Sequence, residues 1–156
     1  SRTVIAQDAQ VPLIQAATVH PAGREYSQMW EIYPEGLREI LVRVWREYVS
    51  GGRPIPILVT ENGVPVPDGL DFDGKVRDVR RMAYLRDHLI QVRHALADGV
   101  PVGGYFVWSL TDNFEWAHGY SMRFGLTYVD YSTLARTVKE SGHWYGQVVR
   151  ANAVEG

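Results

Sequence analysis

The apolar positions of this chain fall into a few short rhythms separated by polar breaks. Residues 1–29 show little periodicity, and Pro12, Pro21 and Gly23 interrupt any helix there, so this stretch reads as mostly irregular. Pro34 and Glu35 then open a helix, because proline suits the first helical position and a carboxylate suits the positive end of the helix dipole. Leu37, Ile40, Leu41, Val44 and Tyr48 follow at helical spacing as one apolar face, which Gly51-Gly52 ends. Residues 55–60, Ile-Pro-Ile-Leu-Val-Thr, do not alternate. That pattern predicts a strand covered on both faces, as in a parallel sheet. It stops at Glu61-Asn62-Gly63, and residues 65–75 read as a loop rich in Pro, Gly and Asp.

Asp78 is placed to cap a second helix with Met82, Leu85, Leu89, Val92 and Leu96 inward and Gly99 as its stop. Residues 102–110 read as a second buried strand, again ending in polar residues, Thr111-Asp112-Asn113. A long loop of aromatic and charged residues runs to about Arg136. Residues 137–152 read as the last helix, with Val138, Tyr145, Val148 and Val149 inward. Strands alternating with helices predict an α/β fold with parallel pairing. Two parallel strands leave both outer edges without partners, so the chain is expected to be part of a larger sheet.

Composition narrows the classes. The 156 residues are 46 % apolar and 22 % charged with a net charge of −2, which suits a folded globular chain and shows no basic stripe for nucleic acid. There are no cysteines, so neither disulfides nor thiolate metal sites are available. No apolar run approaches the ~20 residues that span a bilayer. The first residues, Ser-Arg-Thr-Val-Ile, lack the order of a secretory signal, and a cytoplasmic location is expected. His20, His88, His94, His118 and His143 are scattered without a metal-ligand spacing, so no metal and no cofactor are expected. Five Trp and nine Tyr are many for this length, although composition alone favours core filling over sugar stacking.

In parallel α/β folds the ligand site lies at the carboxyl ends of the strands. Both strands end in polar clusters there, Thr60-Glu61-Asn62-Gly63 and Trp108 through Trp116. Glu61 directly after a buried strand is held on a rigid element, and Gly63 lets the chain turn away. Taken alone, such a Glu is equally well a solvated turn residue.

The longer motifs separate these readings. Ile57-Leu58-Val59-Thr60-Glu61-Asn62-Gly63 resembles the nucleophile motif of glycoside hydrolase family 1. Gly104-Tyr105-Phe106-Val107-Trp108-Ser109-Leu110-Thr111-Asp112-Asn113-Phe114-Glu115-Trp116 resembles that family's sugar-binding signature. The likeness continues through Gly119-Tyr120, Arg123-Phe124-Gly125-Leu126, Tyr128-Val129-Asp130-Tyr131, Arg136-Thr137, Lys139-Glu140-Ser141 and Trp144-Tyr145, and upstream through Trp30 to Leu37. The resemblance implies a (β/α)₈ barrel in which residues 1–156 are the C-terminal portion of a single catalytic domain. They would supply the last two strands and their helices, and the first six strands would lie outside the chain.

It also implies a retaining β-glucosidase with Glu61 as nucleophile. Trp108 would be the stacking floor under the glycone, Glu115 the acceptor of its 4- and 6-hydroxyls, and Trp116 the donor to its 3-hydroxyl. Phe124 would line the pocket and Trp30 would wall the leaving-group side, with plain packing as the alternative for both. The family's acid/base Glu sits in an Asn-Glu-Pro motif, and this sequence has no Asn-Glu pair. The N-terminal part of the barrel is therefore an expected partner, and the isolated chain should not turn over. Relatives acting on 6-phosphoglycosides carry Ser, Lys and Tyr where this chain has Glu115, Met122 and Phe124. An unphosphorylated β-glucoside or cellobiose-type sugar is expected, with galactoside or fucoside as side substrates. The rival expectation is an inert piece or split-barrel half serving as an association or sugar-binding module.

Overall fold

The computed structural model describes residues 2–10, 16–52 and 55–155. The chain divides into two compact units, Ser1–Tyr33 and Pro34–Gly156.

In the first unit, strands β1 (Val4–Gln7) and β2 (Ala16–Val19) pair antiparallel, with Val4 opposite Val19 and Gln7 opposite Ala16. This corrects the expectation of an irregular segment. Each strand is only four residues long, too short for alternation to show, and Pro12 lies outside the described residues. Glu31 is buried beside Arg2, whose Nη2 donates to Oε1 at 2.6 Å and whose Nε and backbone N–H donate to Oε2 at 3.1 and 3.0 Å. These hydrogen bonds from Arg2 hold the Glu31 carboxyl down at about 2. Next to it, Ser27 Oγ accepts from the backbone N–H of Trp30 at 3.0 Å and closes a turn.

The second unit opens with helix α1 (Glu35–Val44), which continues as one π-helical turn, Trp45–Val49. Then follow strand β3 (Ile57–Asn62), helix α2 (Val79–Ala97), strand β4 (Val102–Val107), the short strands β5 (Thr127–Val129) and β6 (Arg136–Val138), and helix α3 (Glu140–Ala151). Strands β3 and β4 pair in parallel, as the strand–helix–strand rhythm requires, and β5 pairs antiparallel with β6. Leu41, Val59, Val92, Ala95 and Val100 form a buried cluster, with Trp45, Ile57, Val102 and Tyr105 packed against it. This core joins α1 and α2 to one face of the strand pair.

The other face is open. Leu58 is 51 % exposed and Phe106 is 56 % exposed. The expectation of strands covered on both faces is corrected to one covered face. A non-alternating apolar run records what a strand is built to lie against, and the described elements of this unit supply that cover on one side only.

Three helix readings also shift. The widened π turn changes the phase of the apolar stripe beyond Val44, and Tyr48 is exposed; Ile40, in the regular part of α1, is exposed as well. On α2 the buried side chains are Arg81, Tyr84, Leu85, His88, Val92 and Ala95. Leu96 and Val149 instead line an apolar groove between α2 and α3. The last helix starts at Glu140, because Arg136–Val138 is taken up by the ladder with β5, and Val138 is exposed. Lys139 then holds an extended backbone (φ −77°, ψ 164°) before the first turn of α3.

His88 gives this unit a pH dependence. Its Nδ1 lies 2.8 Å from the Tyr84 carbonyl, which can only accept, so Nδ1 carries the proton and Nε2 is bare in the neutral ring. The ring also stacks on Tyr84 at 3.9 Å. Burial pushes the imidazole below its ordinary value of 6.5, more than the Tyr84 hydrogen bond raises it. A depressed folded pKa means that stability is fully present above the unfolded value and is lost as pH falls through the folded one. Stability against denaturant should therefore weaken below pH 6.5, and His88→Gln should flatten that part of the profile. An identical slope in the variant would refute the assignment.

Candidate active site

The carboxyl ends of β3 and β4 lie side by side. The Trp108 N–H donates to the Asn62 carbonyl at 2.9 Å, and Asn62 pairs with Val107. At Gly63 the two backbones touch. A Cβ there would run into the Trp108 carbonyl oxygen, with the carbonyl carbon at 2.9 Å and Trp108 Cβ at 3.3 Å. Only glycine permits this approach.

The register aims Glu61. Val59 pairs with Tyr105 and Asn62 with Val107, so β3 advances three residues while β4 advances two. The extra residue is a bulge at Thr60-Glu61, and both side chains are exposed. Asn62 faces the helices instead, its Oδ1 accepting from the Tyr105 hydroxyl at 2.7 Å. Glu61 is thus the carboxylate at the rim, flanked by a side chain that is tied down.

Trp108 directly follows β4 and is 36 % exposed; its peptide bond to Ser109 is cis. Beyond it, Ser109 Oγ donates to the Thr111 carbonyl at 2.8 Å and accepts from Asn113 Nδ2 at 3.0 Å, which folds the loop on itself. Glu115 is half-buried, and its backbone N–H donates to the Gly119 carbonyl at 2.7 Å. Trp116 starts a tight turn, Trp116–His118, with φ +41° and 83 % exposure. A large side chain held left-handed and facing solvent is uncommon away from ligand-binding surfaces. Phe124 places its carbonyl 3.3 Å from the Ser109 N–H, but its ring is only 3 % exposed and belongs to the packed interior of this chain. Glu61, Trp108, Glu115 and Trp116 therefore share one rim or the loop growing from it. Trp30 belongs to the first unit.

A buried charge network joins the segments that leave β3 and β4. Asp112 Oδ2 accepts from Arg123 Nη1 at 2.6 Å, and Oδ1 accepts from Lys139 Nζ at 2.8 Å and from the Gly125 N–H at 2.9 Å. Lys139 also reaches Asp68 Oδ2 at 2.8 Å. Arg81 Nη1 donates to Asp68 at 2.6 Å and to Asp78, and Asp78 accepts from Ser141 Oγ at 2.5 Å. Three cations thus meet three carboxylates. Removing one member of such a set costs about 3–5 kcal/mol, because the partner is left buried and unpaired. The available signal was the cluster of acids in residues 68–78, which taken alone reads as a solvated loop.

A parallel strand pair with an exposed carboxylate at its carboxyl rim has the placement of a ligand site in an α/β fold. The sequence pattern described as Glycosyl hydrolase family 1 matches residues 3–154, and the chain belongs to that family. It is similar to β-glucosidase A of Thermotoga maritima, 52 % identical over 126 residues, covering 81 % of this chain and 27 % of the relative. The solved family 1 β-glucosidase from T. maritima superposes with a TM-score of 0.87 at 45 % identity, over 99 % of this chain and 34 % of that one. A structure of the T. maritima enzyme in complex with isofagomine lactam matches with a TM-score of 0.84 at 47 % identity, covering 92 % and 32 %. The chain thus spans about a third of the solved relatives or less.

Proposed function

We propose that this chain supplies the nucleophile and much of the glycone site of a retaining β-glucosidase. It does so as the last two strands of a (β/α)₈ barrel whose remaining strands lie outside it. The observation that carries the reading is Glu61, exposed on a bulge at the carboxyl end of β3, directly beside the end of β4 that bears Trp108. The open face with Leu58 and Phe106 supports it too, since a barrel interior would cover that face.

Retention needs two carboxyl groups about 5–5.5 Å apart across the scissile bond. Glu61 attacks the anomeric carbon from one side. The bond to the leaving oxygen breaks as a carboxyl group from the rest of the barrel protonates it. Water, deprotonated by that same group, then displaces Glu61. Trp108 offers an apolar ring to the sugar face, Glu115 accepts from the 4- and 6-hydroxyls, and Trp116 donates its indole N–H to the 3-hydroxyl. Phe124 backs this pocket from the interior, and Trp30 is assigned to the leaving-group side. A free 6-hydroxyl suits Glu115, whereas a 6-phosphate would meet a like charge with Met122 offering no compensation.

The test uses a complete barrel, this chain joined to the N-terminal portion of the T. maritima relative, with the isolated chain as the blank. An activated 2-deoxy-2-fluoro-β-glucoside slows the second step more than the first and should leave one glycosyl group on the peptide holding Glu61. A label on another carboxylate of this chain, or turnover without any label, would overturn the role.

A further inference from the structure

We propose that Lys139 is a positioning residue for the glycone pocket, its ammonium fastening the loop that follows Glu61 to the loop that carries Glu115 and Trp116. The inference rests on the reading of Glu115 given above.

Lys139 is fully buried, and its Nζ lies 2.8 Å from Asp68 Oδ2 and 2.8 Å from Asp112 Oδ1. Asp68 lies five residues after Gly63, in the loop that leaves the nucleophile strand. Asp112 lies between Trp108 and Glu115. Lys139 is the ammonium on which carboxylates from both rim loops converge.

Its own backbone is fixed on both sides. The Lys139 N–H donates to the Leu126 carbonyl at 2.9 Å, and its carbonyl accepts from the N–H groups of Gly142 and His143 at 3.0 and 3.1 Å. The anchor therefore stands at the N-terminus of α3, its backbone held on both sides. Asp68 is held through Oδ2 alone, its Oδ1 being buried without a partner. Loss of the ammonium would leave two acids facing each other across the gap it filled, with Arg81 on one and Arg123 on the other. Like charges in a buried site repel, so Asp112 would shift away from Asp68 at this point, while the Val66 N–H and Arg81 Nη2, both on the Arg123 carbonyl, keep the loops joined elsewhere. Asp112 would carry Glu115 and Trp116 with it, because only Asn113 and Phe114 separate Asp112 from Glu115.

A merely structural lysine would lower activity on all substrates equally. A positioning lysine should act where Glu115 acts. A β-xyloside lacks the hydroxymethyl group at C5, so the ratio of kcat/KM for a 4-nitrophenyl β-glucoside to that for the β-xyloside reads the Glu115 contact. In the joined barrel, Glu115→Gln should lower this ratio. Lys139→Met should lower it by about tenfold, the worth of one misaligned hydrogen bond to a charged group. Asp68→Asn weakens the same tie from its other end, because a neutral amide oxygen holds the ammonium less strongly than a carboxylate, and it should lower the ratio in the same direction; it decides the matter should Lys139→Met not fold. A ratio that falls in Glu115→Gln but stays at the parent value in Lys139→Met and Asp68→Asn overturns the role of Lys139 alone. A ratio that Glu115→Gln leaves unchanged overturns the assignment of Glu115, and this inference with it.

Discussion

Replacing Glu61 by Ala in the joined barrel should cut hydrolysis of a 4-nitrophenyl β-glucoside by about 10⁴-fold or more, the scale on which removal of a covalent nucleophile disables an enzyme. The packing of this segment should barely change, because Glu61 is exposed on its bulge and belongs to none of the buried clusters of this chain. Loss of rate without loss of structure is the first part of the expected result. The second part is rescue. Azide fits the space left by the carboxylate and can attack the anomeric carbon from the same side. A C–N bond forms as the C–O bond to nitrophenolate breaks, and nitrophenolate leaves without needing a proton. One displacement inverts the centre, so the product should be the α-glucosyl azide. A β-azide, or a variant that keeps its rate, would show that Glu61 is not the attacking group.

That carboxylate was legible in the sequence, and the geometry that presents it was not. The strand ending at Glu61-Asn62-Gly63 stands out because an apolar run meets three polar or small residues at once. The bulge does not stand out, because it is a difference in count between two strands far apart in the chain. Helix α2 follows the spacing of Leu85 and Val92, yet Arg81 on its buried face could not be foreseen: a charged residue on a helix normally marks the solvent side. Lys139 was hidden for the same reason, since its partners, Asp68 and Asp112, are 71 and 27 residues away. Thr137 and Val138 have the β-branched character of a strand, but with Tyr145 and Val148 beyond them they were absorbed into a helical rhythm. The exposure of Leu58 and Phe106 lies outside what periodicity can report. A pattern shows that a face is apolar, and it does not show which polypeptide covers it.

Gly63→Ala should lower the rate severely, although it removes no chemical group. The new methyl would point at the Trp108 carbonyl oxygen, and the atoms behind it, the carbonyl carbon at 2.9 Å and Cβ at 3.3 Å, belong to backbone or sit directly on it. No flexible side chain can give way. The strand ends must separate, and with them Glu61 and Trp108, the proposed attacking group and the ring proposed to lie under the sugar. A displacement of about 1 Å in a reacting geometry can cost about 10²-fold, so kcat should fall by at least that factor. Gly69→Ala is the matched control. It sits in the same loop, a Cβ there meets nothing within 4 Å, and its rate should stay at the parent value. The two variants differ in contact and not in chemistry. Parent-like kcat in Gly63→Ala would mean that the closeness of β3 to β4 at this rim is not what sets Glu61 against its substrate.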